Sequence, residues 1–252
     1  MTPTARGAWA ESVLHSFDAG VDGAFPGPGL TFDGQGNLYG TTSSGSGNND
    51  GGTAFEVSPD SSSPDGWITK VIHRFCHNFH GCKDGSDPEF AGVAIDSSGR
   101  LYGTTREGGT TQGGVAYRRA LTNSEWKEAV LYTFCSPNCG DGNLVAEATP
   151  ILDKADNLYG TAEEGGLACS CGLIFELKHT ATGWQEIILY EFHGSDGFFP
   201  SGGLIFDAAG NLYGTTRGGG TSSCDCGTIF KLAGTTAFGG TYNQGTVYEI
   251  TP

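Results

Sequence analysis

Charged residues interrupt an otherwise repetitive chain at three related places. Arg106-Glu107, Glu163-Glu164 and Arg217 each follow a Tyr-Gly-Thr/Ala segment, where the first copy is followed by Ser43-Ser44. Two carboxylates about 5–9 Å apart can act as acid and base, or as acid and nucleophile, in glycoside hydrolysis. Glu107, Glu163 and Glu164 are therefore the candidate catalytic residues if the chain is an enzyme; the plainer reading is solvated loop charge. Arg106 and Arg217, with Asp87, Glu89, Phe79, Phe198 and Phe199 in neighbouring loops, are the candidate ligand-binding residues. Their guanidinium and carboxylate groups bond hydroxyls, and their rings pack on sugar faces. Phe238 and Tyr242 are further aromatics of this kind.

Eight cysteines form four close pairs: Cys76/Cys82, Cys135/Cys139, Cys169/Cys171 and Cys224/Cys226. An even number at short spacing indicates disulfides and an oxidising compartment. Cys76-His-Asn-Phe-His-Gly-Cys82 also offers two Cys and two His to zinc, but the spacing fits no common zinc pattern. Cys135-Ser-Pro-Asn-Cys139 occupies the equivalent loop without histidine, so a loop staple is the better reading and no metal is assigned. Each Cys-x-Cys pair would close a strained small ring. The two pairs sit in matching loops of successive units, so a bridge between units is the alternative and redox catalysis a third. Asp84, Asp87 and Glu89 would be the ligands if calcium bound, although their pattern is not that of an EF-hand. The recurring Asp22-Gly23, Asp84-Gly85, Asp141-Gly142 and Asp196-Gly197 read as turn formers.

These residues need a scaffold, and the chain repeats one. Asn37-Leu-Tyr-Gly-Thr-Thr42 returns as Arg100 to Thr105, Asn157 to Ala162 and Asn211 to Thr216. Each copy is flanked by a run ending in Asp (Asp33, Asp96, Asp153, Asp207), an apolar run such as Leu173-Ile-Phe-Glu-Leu177, and a segment from Trp to Phe such as Trp184 to Phe192. Short runs rich in β-branched and aromatic residues, bounded by Gly, Asp, Asn and Ser, are strands and turns. Each unit is a four-stranded antiparallel meander, and tandem meanders make propeller blades.

The expected fold is thus all-β, a single β-propeller over residues 1–252 with units at 9–57, 67–118, 126–177 and 184–232 and a partial unit at 233–252. Five blades with an incomplete last one are favoured, with four as the alternative. The Asp-ending run with the following Gly-Asn-Leu-Tyr resembles the inner strands of NHL-type blades. By that analogy the Trp9–Phe17 strand completes the last blade. In a meander alternate loops share a face, so the long loops and all eight cysteines lie on one side and tight turns on the other. The periodic Trp and Tyr residues are assigned to blade packing.

The formal charge is −15, from 28 acidic and 13 basic residues. Such a chain repels phosphate backbones and anionic membranes, and no apolar run is long enough to insert into a bilayer. The 43 glycines occur without a three-residue period, which excludes collagen and implies many turns. No phosphate-binding loop is legible, because the glycines precede no helix.

The unit Asn-Leu-Tyr-Gly-Thr-Thr, then Gly-Gly, then Gly-Thr-(Val/Ile)-Phe-(Glu/Lys)-Leu resembles the choice-of-anchor tandem repeat GloVer proteins of environmental bacteria. The resemblance implies export and surface attachment but no particular activity. The expected localisation is secreted or on the bacterial surface, with a polysaccharide or oligosaccharide as partner. The leading expectation is a lectin-like, glycan-binding propeller. The alternatives are a glycoside hydrolase on a neutral polysaccharide and a structural or adhesive surface repeat.

Overall fold

The computed structural model describes residues 2–3, 9–45, 51–77, 81–136, 138–145, 147–167, 169–221 and 225–233. Every regular element among them is a strand, as the repeat predicts. A ribbon pairs β1 (Thr2–Pro3) with β2 (Trp9–Ala10). Blade one places β3 (Ala24–Pro26) and β4 (Thr31–Phe32) along β5 (Leu38–Ser44), followed by β6 (Thr53–Pro59) and β7 (Trp67–Arg74). Blade two is β8 (Ala94–Ile95), β9 (Leu101–Thr105), β10 (Val115–Thr122) and β11 (Glu125–Thr133). Blade three is β12 (Ile151–Leu152), β13 (Leu158–Ala162), β14 (Leu173–Thr180) and β15 (Gly183–Glu191). Blade four has β16 (Ile205–Phe206), β17 (Leu212–Thr215) and β18 (Ile229–Leu232). These antiparallel sheets form a four-bladed β-propeller. The segment assigned to a fifth blade lies outside the described residues from 234 onward.

Beside the short inner strands lies an open depression of about 450 Å³, lined by Gly29, Phe90, Ile151 and Ile205 from the approaches to and inner strands of the four blades. At its wall a Cβ on Gly29 would sit 2.9 Å from the Cα of Gly92, so both positions need glycine for the backbones to meet. Gly92 N donates to Thr149 Oγ1 at 2.8 Å, which joins the approach to blade two with that to blade three.

Aromatic rings bind the blades to one another in both directions. The Phe that ends each outer segment packs forward on the third strand of the next blade. The pairs are Phe75 on Tyr117, Phe134 on Phe175 and Phe192 on Phe230, with centroids 5.0, 4.9 and 5.2 Å apart. The Trp that begins an outer strand packs backward, Trp126 on Tyr39 and Trp184 on Tyr102. Phe17 makes the forward contact with Phe55, at 5.0 Å. The expected pairing of Trp9–Phe17 with the last blade does not occur among the described residues. Trp9 and Ala10 pair with β1, while Leu14 and Phe17 are fixed by burial on Leu38, Phe55 and Val57 of blade one.

A bulge recurs in each outer pair, at Ala54/Phe55, Ala116/Tyr117 and Ile174/Phe175. The extra residue re-aims the strand end, and His73, Tyr132 and Tyr190 then reach Asp84, Asp141 and Asp196 of the following loops. His15 reaches Asp22 in the same manner. The Asp of each Asp-Gly pair thereby holds its loop to an outer segment.

The inner turns are held by a second aspartate. Asp96 accepts from Ser98 N (2.8 Å), Arg100 N (3.0 Å), Arg100 Nε (2.5 Å) and Tyr102 Oη (3.0 Å). Asp33, Asp153 and Asp207 repeat this set with Asn in place of Arg, as in the 2.8 Å, 2.8 Å and 2.6 Å bonds from Asn37, Asn157 and Asn211 Nδ2. For Asp33 and Asp96 burial alone would raise the carboxyl pKa, but these donors outweigh it and the net shift is downward. The half-buried Asp207 carboxyl falls to about 2, chiefly through its bonds from Asn211. Groups with depressed folded pKa values add stability above the unfolded value near 4, which is lost as pH falls toward 2. Asp96→Ala, which orphans the Tyr102 hydroxyl and Arg100 Nε, is expected to cost about 2–3 kcal/mol in urea unfolding.

Candidate functional site

The long loops gather on one face, as the meander requires. Four short antiparallel pairings repeat there: Ala24 with Ser44, Ser86 with Glu107, Asn143 with Glu164, and Phe198 with Gly218. The residue after each first member lies in the left-handed region: Phe25, Asp87, Leu144 and Phe199, with φ of 55°, 57°, 56° and 55°. Holding a non-glycine residue there costs on the order of 1–2 kcal/mol, and such strain concentrates at functional sites. The carbonyls of Asp87, Leu144 and Phe199 accept from the amides of Arg106, Glu163 and Arg217. One backbone device thus brings Arg106, Glu163 and Arg217 to equivalent positions around the axis.

These side chains enclose a cavity of about 350 Å³ with Glu89, Glu147, Glu164, Phe90 and Phe199. Arg106 lies 3.2 Å from Glu89, 3.4 Å from Glu147 and 3.9 Å from Glu163. Glu163, itself buried, also pairs with Arg217 at 3.2 Å. The Arg217 guanidinium sits 5.5 Å from the centre of the Phe199 ring. Burial first, and then the charge of Glu163, pushes the Glu147 carboxyl up to about 7 against the opposing pull of Arg106. Burial with Glu89 and Glu107 likewise lifts Asp87 to about 6. Arg106 Nε and Glu147 Oε1 are within ion-pair distance, yet both atoms lack a hydrogen bond of proper geometry. Angle decides hydrogen-bond strength as much as distance, so a buried donor and a buried acceptor face each other beneath the cavity wall without a well-formed bond.

The candidates named from sequence separate accordingly. Glu89, Arg106, Glu163, Glu164, Phe199 and Arg217 converge on the cavity. Glu164 accepts from Asn143 Nδ2 at 3.2 Å. Glu107 is exposed and does not line the cavity. Phe198 is edge-on to Phe199 at 4.9 Å and braces it. Phe79, Phe238 and Tyr242 lie outside the described residues. Glu147, Leu144 and Phe90 were missed. For Glu147 the signal was a charge at a repeat position that the other units fill with Pro28, Phe90 and Gly202.

Asp84, Asp87 and Glu89 do not converge on a cation: Asp84 is engaged by His73 and by Cys76 N, and Glu89 by Arg106. Among the described residues, His73, Asp84 and Glu128 are the one grouping at metal-ligand spacing. The Arg119 guanidinium already lies 3.0 Å from Glu128, which makes the trio a cross-blade tether. Between the next two blades Tyr132 bonds Asp141 and Glu186 in the same way.

The cysteines pair locally, Cys76 with Cys82, Cys135 with Cys139 and Cys169 with Cys171, and Cys226 is also disulfide-bonded. The Cys169–Cys171 bond replaces the alternative of a bridge between blades, because the intervening Ser170, at φ 54°, turns the chain back on itself.

Fold and cavity together define a β-propeller with a carboxylate- and guanidinium-lined site at the loop end of its axis. The chain belongs to the Gloeobacter/Verrucomicrobia repeat family, whose profile matches residues 63–233. Among solved structures it is similar to an exo-1,5-alpha-L-arabinanase from a bovine ruminal metagenomic library, with TM-score 0.47 and 11% identity over 87% of this chain and 76% of that one. It is also similar to a bifunctional GH43-CE protein of Bacteroides eggerthii, with TM-score 0.44 and 12% identity over 88% of this chain and 26% of that one. No curated protein matches the chain.

Glu147 and Asp87 have folded pKa values above the unfolded ones, and so does Glu186, lifted to about 8 by burial and Asp141. Their contribution is complete below about pH 4 and is lost as pH rises through 6–8. The midpoint of urea unfolding is therefore expected to be higher at about pH 5 than at about pH 8. Glu147→Gln and Glu186→Gln should each flatten that slope, and an unchanged slope would refute the assignment.

Proposed function

We propose that the protein is an extracellular glycan-binding propeller that takes a neutral polysaccharide segment into the loop-face cavity. The observation that carries this reading is the convergence on one cavity of charged hydrogen-bonding side chains, Glu89, Arg106, Glu164 and Arg217, with the rings of Phe90 and Phe199. A sugar offers hydroxyls that both donate and accept, and C–H faces that pack on rings. Carboxylates outnumber guanidinium groups in the lining, which favours neutral over acidic sugars. Local disulfides support an oxidising, extracytoplasmic setting.

A hydrolytic reading is favoured by one specific feature. A carboxyl titrating near 7, as Glu147 does, is suited to general acid catalysis, with Glu89 on the other flank of Arg106 as the base. Glu163, held between two arginines, would then tune Glu147 rather than react. On the hydrolytic reading, reducing ends are released from xylan, cellulose or mixed-linkage glucan, and Glu147→Gln slows release about 10²-fold or more. Without release, the reading is binding alone.

For binding, Phe199→Gly is the informative change. It removes the ring and also relieves the left-handed backbone, so the fold is expected to persist. Calorimetric titration with xylohexaose, cellohexaose and a mixed-linkage glucohexaose should show affinity at the loop-face site falling about tenfold or more. Unchanged affinity would place the ligand elsewhere.

A further inference from the structure

The face opposite the loops carries two related grooves between blades. The first, of about 570 Å³, separates blades one and two and is walled by Tyr39 and Trp126, whose ring centres are 6.1 Å apart. The second, of about 170 Å³, separates blades two and three and is walled by Tyr102 and Trp184, 6.3 Å apart. Strand register makes their linings comparable position by position. Tyr39 faces Glu56 where Tyr102 faces Arg118, and Trp126 faces Leu121 where Trp184 faces His179. In the repeat, Asn37 matches Arg100 and Gly99 matches Asp156.

Three of these differences, Glu56 for Arg118, Asn37 for Arg100 and Gly99 for Asp156, put a smaller side chain in the first groove. Arg100 spans the second groove to Asp156 at 3.0 Å, and His179 lies against Trp184 at 5.1 Å. In the first, Asn37 and Gly99 leave no such pair. The blade packing needs only the Tyr–Trp contact, which both grooves have, so packing does not account for the larger space. Its volume falls in the range of small-molecule sites, roughly 300–1,000 Å³.

The lining also specifies the occupant's chemistry. Trp126, Leu121 and the exposed Phe32 form an apolar wall, and Gln35, Glu56 and Ser98 supply hydrogen-bonding groups beside it. Among the described residues of the lining none is basic, while Asp33, Glu56 and Asp96 are acidic. An anionic ligand is disfavoured. A neutral sugar ring, with an apolar face for the wall and hydroxyls for the rim, matches it.

We propose that the Tyr39–Trp126 groove is a second glycan-binding site, which would let one chain engage polysaccharide on both faces. The proposal shares its ligand class with the reading of the loop-face cavity but rests on different residues. The neighbouring groove supplies the test. Asn37→Arg with Glu56→Arg installs the residues of the second groove in the first, and Arg100 already shows that arginine can replace asparagine in bonding the turn aspartate. The double variant is therefore expected to fold.

Fluorine NMR of protein labelled with 5-fluorotryptophan reads the groove at Trp126, with Trp126→Phe assigning its signal. Titration with the three neutral hexasaccharides should shift that signal in the wild type. The dissociation constant read there should rise at least tenfold in the double variant and stay unchanged in Phe199→Gly. Equal response in wild type and double variant overturns the proposal. So does a signal that stays still while Phe199→Gly abolishes a calorimetrically measured binding, and in that case the loop-face reading survives. A signal moved by tetralysine but not by sugars would mean a basic peptide site and overturns the proposal as well. Absence of binding by both methods removes both readings.

Discussion

Four aspartates, Asp33, Asp96, Asp153 and Asp207, each accept two backbone and two side-chain hydrogen bonds, and the propeller is organised around them. The inner strands they terminate are only two residues long and carry few ladder bonds of their own. Tying the turn to the Tyr of the next strand fixes the start of β5, β9, β13 and β17. That Tyr is the surface on which the Trp of the next blade packs, at Tyr39 and Tyr102. A charge-assisted bond is strong enough to order a solvent-facing turn, and a turn so ordered carries the ring contacts that join one blade to the next.

At the loop end the same economy of backbone serves a different purpose. Each unit repeats a two-residue pairing followed by a left-handed residue, so the main chain is nearly four-fold regular. The side chains placed on it are not. Arg106, Glu163 and Arg217 meet Glu89 and Glu147 because three units carry charge where the first carries serine. Burial and the neighbouring charge of Glu163 raise the proton affinity of Glu147. A site of this kind costs stability at neutral pH, and the repeat surrounding it supplies the rigidity that holds it together.

The two faces divide the labour. The loop face is stapled by local disulfides and held to the outer strands through Asp22, Asp84, Asp141 and Asp196. The turn face is held by the inner aspartates and by Asp60 and Thr180 in the outer turns, with side chains in the inner turns deciding whether a groove is filled, as by Arg100, or open, as beside Asn37.

The sequence by itself determined the all-β propeller class, the turns, the shared face of the long loops and the family, because all of these are encoded within one repeat, whereas it favoured five blades and the described residues form four. It also pointed to Arg106, Glu163 and Arg217, since breaks in a repeat are visible without a structure. Tertiary structure alone decided what those residues meet. Glu147 is brought beside Glu163, and Glu107 faces solvent. Cys169 and Cys171 bond each other because Ser170 adopts a left-handed turn that spacing does not reveal. The Trp and Tyr positions read as packing are also the walls of a groove, whose volume depends on side chains contributed by two blades. Local pattern specifies each blade, whereas distances between blades follow from how rings and loops pack around the axis, and that packing is a property of the whole chain.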